Sequence, residues 1–592
     1  MNILGVSCYY HDAAAALLQD GVLVAAAEEE RFSRKKHDYG FPTNAIDFCL
    51  RYGGIKGQDL DYVVFYEKPL VKFERILMTC LGTFPRSWKV FREAMIAWFD
   101  EKLWIKSRLM NHLGLPAEKV LFVDHHTAHA ASAFFCSPFK EAAILTVDGV
   151  GEWTTGTMGT ATADWDGQGK NAIKLTKEMR FPHSLGLLYS AFTAFLGFEV
   201  NEGEYKVMGM APYGQPRYQD KVYKLLELSG DGSFHLNMDY FSYHYSTSKT
   251  FNGKFVELLG EPRNSNSEFI TRLTHADVSG HEAEVERNQY YADVAASIQR
   301  VTEDIMLKMA NHLYKETGLK QLCMAGGVAL NSVANGRILR ETPFEDLFIH
   351  PAPGDSGGAV GAALYVWHVI LGKPRQFVLE HAYLGQGYDD SQIRTFLEDN
   401  NIKYQVYEND EMLFDRLVDD LMKGKVIGWF QGRFEWGPRA LDNRSILADP
   451  RRADMKHIVN SKIKFREPFR PFAPVILEER AGEFFEGLPD PKRQYPARYM
   501  LLVLPWKGDA GELIPAVNHL GTGRLQTMRR EWNPRYYRMV EKFGEATGVP
   551  VLMNTSFNLR GEPIVGSPAN AWNTFSKSGI DVLVLGSHVV RK

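Results

Sequence analysis

The first thirty residues alternate between short apolar runs and polar breaks, at a spacing that predicts strands. Residues 2–7 (NILGVS), 13–18 (AAAALL) and 22–28 (VLVAAAE) are apolar or small, and the breaks are CYYHD and Asp20-Gly21. Asp-Gly between two apolar runs marks a tight hairpin turn. The pattern returns at 142–161 (AAILTVDGVGEWTTGTMGTA) as strand, Asp148-Gly149 turn and strand, which predicts an internal duplication. A helical stretch at 295–316 leads into LCMAGGVALNSVANGR (322–337), which reads as strand, Gly326-Gly327 turn and helix. The texture changes near 370–400, and GKVIGWFQGRFEWGPRALDNRSILADPR opens a second strand-and-turn region. The predicted class is α/β, with one domain over 1–372, a boundary at 373–400 and a second domain over 401–592.

At 592 residues the chain is too long for one core, which agrees with this division. A formal net charge of −4 gives no overall electrostatic case for nucleic acid. The five cysteines (Cys8, Cys49, Cys80, Cys136, Cys323) lie far apart with no C-x-x-C pair, so reduced thiols and a cytoplasmic location are expected. The N-terminus lacks the features of a signal peptide, and no apolar run is long enough to span a membrane.

Candidate chemistry concentrates where an apolar strand gives way to small residues, in LFVDHHTAHAASAFF (121–135). On a helix, His125 and His129 are four apart and share a face. His126 points off that face and reads as a packing or substrate-side histidine. Asp148, in the second Asp-Gly turn, and Asp355, in HPAPGDSGGAVGAAL (350–364), complete a candidate set of two imidazoles and two carboxylates. That mixture suits Fe(II), Mn(II) or Zn(II) better than Ca(II). The plainer reading of Asp355 is a helix cap. Gly326 and Gly327 read either as a tight turn or as backbone that approaches a phosphate or an adenine. Between Arg433 and Arg470, ten Lys/Arg face five Asp/Glu, interleaved with Gly, Pro and Asn. Fixed backbone around cations predicts a rigid anion pocket suited to a small dianion.

The opening strand–turn–hairpin resembles the actin, sugar-kinase and heat-shock ATPase (ASKHA) superfamily. The H-x-x-x-H helix, the Asp-Gly hairpin and P-G-D-S-G are similar to the metal site of the tRNA threonylcarbamoyladenosine-modifying ATPases. HDAAAAL (11–17), EEERFSRKKHDYGFP (28–42), FPHSLGLLYSAFT (181–193) and EYKVMGMAPYG (204–214) resemble the O-carbamoyltransferases of the NodU/CmcH/TobZ type. That resemblance implies a duplicated ASKHA-type N-terminal domain and a YrdC-like α/β C-terminal domain. It implies ATP and a divalent metal, Fe(II) first, with Mn(II), Mg(II) or Zn(II) as alternatives, held by His125, His129, Asp148 and Asp355. The nucleotide would meet Gly326, Gly327, Asn331 and Lys206, although Lys206 reads equally as a partner of Glu204. Carbamoyl phosphate would meet Arg439, Arg444, Lys464, Arg470, Arg524, Asn554 and Ser556.

The implied chemistry is activation of carbamoyl phosphate with ATP to carbamoyl adenylate, then transfer to a hydroxyl of a small natural product. Lys464 and Arg470 would serve the first step. His11 would serve the second as base or oxyanion stabiliser, with Asp12 orienting it. Members of this family often pair, so a homodimer is expected, without membrane or nucleic-acid partners. The aromatic-rich insert at 70–110 and the segment 230–285 read as acceptor walls or as oligomer contacts. Two departures from the family pattern stand out. Asp442 replaces the usual glycine in GPRALDNRS and is expected to pair with an arginine. HLGTGR (519–524) is one residue short and lacks an aspartate, which bears on His519 and Arg524. Two other functions fit the residues less fully: a tRNA-modifying enzyme of the same adenylate logic, and a nucleotide-binding scaffold without transfer chemistry.

Overall fold

The computed structural model describes residues 1–275 and 277–592; Ala276, inside the segment 230–285, lies outside the described residues. Strands β1 (Asn2–Ser7), β2 (Ala14–Gln19), β3 (Val22–Glu28), β4 (Tyr62–Phe65) and β5 (Val120–Phe122) form a sheet in the order β3-β2-β1-β4-β5. β2 runs antiparallel to β1, β4 is parallel to β1, and β5 is parallel to β4. Asp20 and Gly21 both take positive φ (48° and 83°), as a two-residue hairpin turn requires.

β6 (Glu141–Val147), β7 (Thr154–Thr162) and β8 (Ala172–Arg180) begin a second sheet. After a small hairpin of β9 (Leu226–Leu228) and β10 (Phe234–Leu236), β11 (Gln321–Ala325) and β12 (Asp346–Ile349) complete it in the order β12-β11-β6-β7-β8. β7 is antiparallel to β6, and β11 and β12 are parallel to it in turn. The second sheet therefore repeats the first strand for strand, and the expected duplication is present in the fold.

A helix follows the last strand of each repeat: His125–Phe134 after β5 and Asp355–Tyr365 after β12. Their sequences, HHTAHAASAF and DSGGAVGAALY, are rich in Ala and Gly for a packing reason. A Cβ on Gly361 would stand 1.8 Å from the Ala128 carbonyl oxygen, so the two backbones approach as closely as glycine permits. This packing brings both helix N-termini together beneath the loop after β6.

The remaining strands are β13 (Gln405–Val406), β14 (Ile427–Phe430), β15 (Arg444–Ala448), β16 (Ala473–Leu477), β17 (Leu502–Pro505), β18 (Thr522–Met528), β19 (Val551–Ser556), β20 (Val582–Leu585) and β21 (His588–Arg591). They form one mixed sheet, β13-β21-β20-β14-β15-β19-β16-β18-β17. Leu413, Leu417, Met539 and Phe543, from the helices Asp410–Met422 and Pro534–Thr547, pack on Trp429, Val475 and Leu552 of this sheet.

The chain divides into two compact units. The first holds Met1–Val24, Tyr39–Pro42 and Cys49–Val378; the second holds Ala25–Asp38, Thr43–Phe48 and Leu379–Lys592. A continuous domain over 1–372 was expected, and the residues 25–38 and 43–48 group instead with the second unit. The reason is visible in the E-E-E-R-F motif. Glu28 accepts the Gly437 amide at 2.9 Å, Arg31 donates to the Gly437 carbonyl at 2.6 Å, and Arg34 donates to the carbonyls of Pro563 and Ile564, both at 2.7 Å. Among the described residues, no helix is long and apolar enough to cross a membrane.

Candidate metal centre and anion pocket

In the first unit, the helix His125–Phe134 places the two histidines one turn apart, with Nε2 atoms 3.0 Å from each other. His125 Nε2 is 3.2 Å from Asp148 Oδ2 and 3.6 Å from Asp355 Oδ1; His129 Nε2 is 3.8 Å from each carboxylate. One donor atom from each of the four residues falls within 4.8 Å of the others, and all four side chains are buried. Burial and mutual proximity set the electrostatics of the four donors. Burial and the neighbouring His129 pull His125 down to about 3, so it is neutral. Burial works against the charge of Asp148, but hydrogen bonds from His125 and His129 outweigh it and hold the carboxyl well below its usual range. Burial and the Asp148 charge push Asp355 up to about 7. A divalent cation satisfies all four at once, and the donor set fits one.

The surroundings fix these donors. The Gly327 amide donates to Asp148 Oδ1 at 2.7 Å, and Glu152 accepts the His125 amide at 3.0 Å, so the loop after β6 both supplies a donor and caps the histidine helix. Tyr66 Oη donates to Asp355 Oδ2 at 3.4 Å. Asp355 is the first residue of its helix rather than its cap, which is Gly354. His126 donates from Nε2 to the Thr154 carbonyl and meets the Thr146 hydroxyl at 2.6 Å through Nδ1, which makes it a packing histidine.

His11 lies in the loop after β1. Its Nδ1–H donates to Asp12 Oδ2 at 2.7 Å and its Nε2–H to the Asn201 carbonyl at 2.9 Å. Two acceptors require two protons. Burial opposes the charge, but the Asp12 hydrogen bond and carboxylate outweigh it, with Asp355 and Asn201 adding, and push the imidazole up to about 9.

The sites expected for nucleotide are differently employed. Gly326, at φ 93°, leaves room for nothing larger, because a Cβ there would stand 2.3 Å from the Val147 carbonyl oxygen. With Gly327 bonded to Asp148, the glycine turn serves the carboxylate. Asn331 caps its helix by accepting the Ala334 amide at 3.1 Å and exchanges two hydrogen bonds with Gln299. Lys206 lies 5.5 Å from the Phe198 ring centroid, while Glu204 accepts from Ser190 and the Asn201 amide.

In the second unit the strands assemble the anion pocket. Asn554 and Ser556 share a face of β19, as Arg524 and Gln526 share a face of β18. Across the intervening β16, where Ala473 pairs with Asn554, Asn554 Nδ2 donates to Gln526 Oε1 at 2.6 Å. Lys464, in a wide helical turn at Asn460–Lys464, is buried and donates to Ser556 Oγ at 3.1 Å, Asn558 Oδ1 at 2.7 Å, and the carbonyls of Ser556 and Asn558. Burial, then Arg466 and Arg470, pull its ammonium well below the usual lysine range. Every one of these bonded partners is a neutral oxygen. Arg470 is 3.6 Å from Glu467, and Arg439 precedes Ala440, whose carbonyl accepts from Asn554.

Two expectations are corrected here. Arg444 is fully buried and spends its guanidinium on the carbonyls of Gln431, Asn443, Gln386 and Gly432, over the Phe430 ring; it braces backbone. Asp442 pairs with no arginine: it accepts from Tyr383 Oη at 2.7 Å and Gln526 Nε2 at 2.5 Å. Its φ of 92° explains why glycine suits the position. The amides on both sides of it, Leu441 and Asn443, turn to the same Glu435 oxygen at 2.7 Å. In the shortened HLGTGR segment, His519 and Thr522 bridge backbone to backbone, and Arg524 stays on β18. Gln526, Asn558, Tyr383 and Glu152 were not read from the sequence. For the first two, the signal was the period of two from Arg524 and from Ser556.

Comparison with known proteins agrees with this architecture. The family model described as "Carbamoyltransferase N-terminus" matches residues 2–364, and "Carbamoyltransferase C-terminus" matches 418–592. An uncharacterized protein of Synechocystis is 47% identical, covering 100% of this chain and 97% of that protein. The nodulation protein NolNO of Sinorhizobium fredii is 36% identical, over 99% of this chain and 79% of its own length. NolO of Bradyrhizobium diazoefficiens is 38% identical, over 79% of each. Among solved structures, component A of the Acidaminococcus fermentans (R)-2-hydroxyglutaryl-CoA dehydratase aligns with a TM-score of 0.31 at 14% identity, over 62% of this chain and 97% of its own. The two family models together match most of the chain, and the chain belongs to the carbamoyltransferase family.

Proposed function

We propose that the protein is an ATP-dependent O-carbamoyltransferase acting on a hydroxylated small-molecule natural product. The observation that carries this reading is Lys464, a buried amine bonded to neutral oxygens beside Arg466 and Arg470, whose charged form a bound anion would stabilise. Carbamoyl phosphate supplies one. In the second unit, water releases its phosphate, and a carbamate oxygen attacks the α-phosphorus of ATP; pyrophosphate leaves and carbamoyl adenylate remains. Lys464, Arg470, Arg439 and Arg524 offset the negative charge that grows on the phosphoryl oxygens. Arg444 holds the loop that presents Arg439.

In the first unit the acceptor hydroxyl oxygen attacks the carbamoyl carbon, the bond to the AMP phosphate oxygen breaks, and the hydroxyl proton passes to the phosphate of the departing AMP. His125, His129, Asp148 and Asp355 would hold the metal, which when bound supplies a Lewis acid for nucleotide phosphate oxygens. His11, doubly protonated, acts as a positive stabiliser of the developing oxyanion rather than as a base. Asp12 keeps it charged.

The test is an acceptor-free incubation with ATP and carbamoyl phosphate, read by mass spectrometry for carbamoyl adenylate and pyrophosphate. Formation of both is expected. Absence of adenylate with every divalent metal supplied would overturn the proposal.

A further inference from the structure

Asp442 stands at the head of a hydrogen-bonded relay that no part of the carbamoyl-transfer chemistry uses directly. Tyr383 Oη donates to one carboxylate oxygen, and Gln526 Nε2 donates to the other. Gln526 Oε1 in turn accepts from Asn554 Nδ2, which also donates to the Ala440 carbonyl at 3.3 Å. Asp442, Gln526 and Asn554 are 3%, 0% and 1% exposed, so the bonds among them are shielded from bulk water.

The direction of the relay follows from chemistry. At pH 8 the Asp442 carboxylate is ionised and only accepts, so Gln526 presents its NH2 to Asp442 and its oxygen to Asn554, as the structure has them. Asn554 must then present its NH2 to Gln526, and the opposite end of its amide is the oxygen Oδ1. That atom is buried with no hydrogen-bond partner. A buried acceptor left without a donor is costly unless something supplies one. Carbamoyl phosphate ends in an NH2 group; an acyl phosphate ending in a methyl group has nothing to donate.

We infer that Asp442 acts through Gln526 as a positioning residue, locking the Asn554 amide with its oxygen as the acceptor that selects a carbamoyl over an acyl phosphate. This rests on the proposal that the second unit takes carbamoyl phosphate. The position supports a purposeful carboxylate, because φ of 92° disfavours any side chain there and glycine would cost less. Aspartate is retained at a strained position where it makes two buried hydrogen bonds.

The experiment compares calorimetric binding of carbamoyl phosphate and acetyl phosphate to the full-length protein at pH 8, and then to Asp442→Gly and Gln526→Met. Glycine is at ease at this φ, so the first variant keeps its fold, and a thermal midpoint confirms it. The parent is expected to prefer carbamoyl phosphate. Each variant should lose about tenfold of that preference, the worth of one hydrogen bond to a buried group. The loss should fall on carbamoyl phosphate alone, with acetyl phosphate unmoved. An unchanged ratio in both folded variants overturns the relay and leaves the transferase proposal standing. No binding of carbamoyl phosphate to the parent overturns both.

Discussion

The Gly327 amide donates to Asp148 Oδ1, so the glycine turn of the second repeat orients a carboxylate of the candidate metal centre contributed by the loop of β6. The turn depends on Gly326 just before it, where a Cβ would collide with the Val147 carbonyl oxygen and φ is left-handed. Gly326→Ala should therefore lose at least about 2 kcal/mol of stability. It should also weaken metal binding, because Asp148 loses its orienting donor. Thermal unfolding and a metal titration monitored by calorimetry would read the two effects separately.

In the proposed function the two units take one half-reaction each, and single substitutions should separate the halves. His129→Ala removes one of four donors, so elemental analysis of the purified variant should find metal at background. Its acceptor-free formation of carbamoyl adenylate should persist. Lys464→Ala should do the reverse: metal retained, pyrophosphate release down by about 100-fold or more, as for loss of one group aimed at developing charge.

In the proposed transfer step His11 is expected to set a pH limit. Its imidazolium is stabilised in the fold, with the proton held up to about 9. The charge is complete below that value and lost as pH rises through it, so the transfer rate should be level across neutral pH and fall above about 9. The same sign holds for stability: the contribution is full below the ordinary histidine range and disappears through 9. Asp12→Asn removes the principal partner, and the limb of the rate profile should move toward the ordinary value near 6.5.

Asp442 gives the opposite chemistry with the same algebra. Burial and the charge of Glu435 raise its carboxyl, against the hydrogen bonds of Tyr383 and Gln526, to about 7. A raised carboxyl contributes stability that is present below about 4 and is lost as pH rises to 7. The thermal midpoint of the parent should fall relative to Asp442→Asn across that interval, and the two curves should run parallel above pH 7. Parallel curves throughout would show that Asp442 titrates as an ordinary carboxylate.

Much of this was legible in the chain itself, and the rest was not for identifiable reasons. The hairpins could be read because Asp20-Gly21 and the flanking apolar runs are local signals. His125 and His129 could be paired because a helix fixes four-residue neighbours, and the repeated strand-turn pattern pointed to Asp148. Gln526 could not be assigned, because its importance comes from Asp442, 84 residues away, and from Asn554 across another strand. The same holds for E-E-E-R-F. Its partner Gly437, and the partners Pro563 and Ile564 of the nearby Arg34, lie some 400 to 530 residues further along, and nothing local names them. Arg444 and Arg470 look alike in sequence; burial alone turns the first into a brace.

The repeated topology of the first unit has a historical reading. Each repeat brings an incomplete coordination set: one carries both histidines, the other both carboxylates. A polypeptide the size of one repeat would need a second copy to assemble four donors, as a twofold dimer builds a site across its axis. Such a dimer would be bound to symmetry, with identical ligands on each side and affinity that fades on dilution. Joining the repeats in one chain removes both constraints. In the tandem chain the two sides are free to differ, with histidines from one repeat and carboxylates from the other.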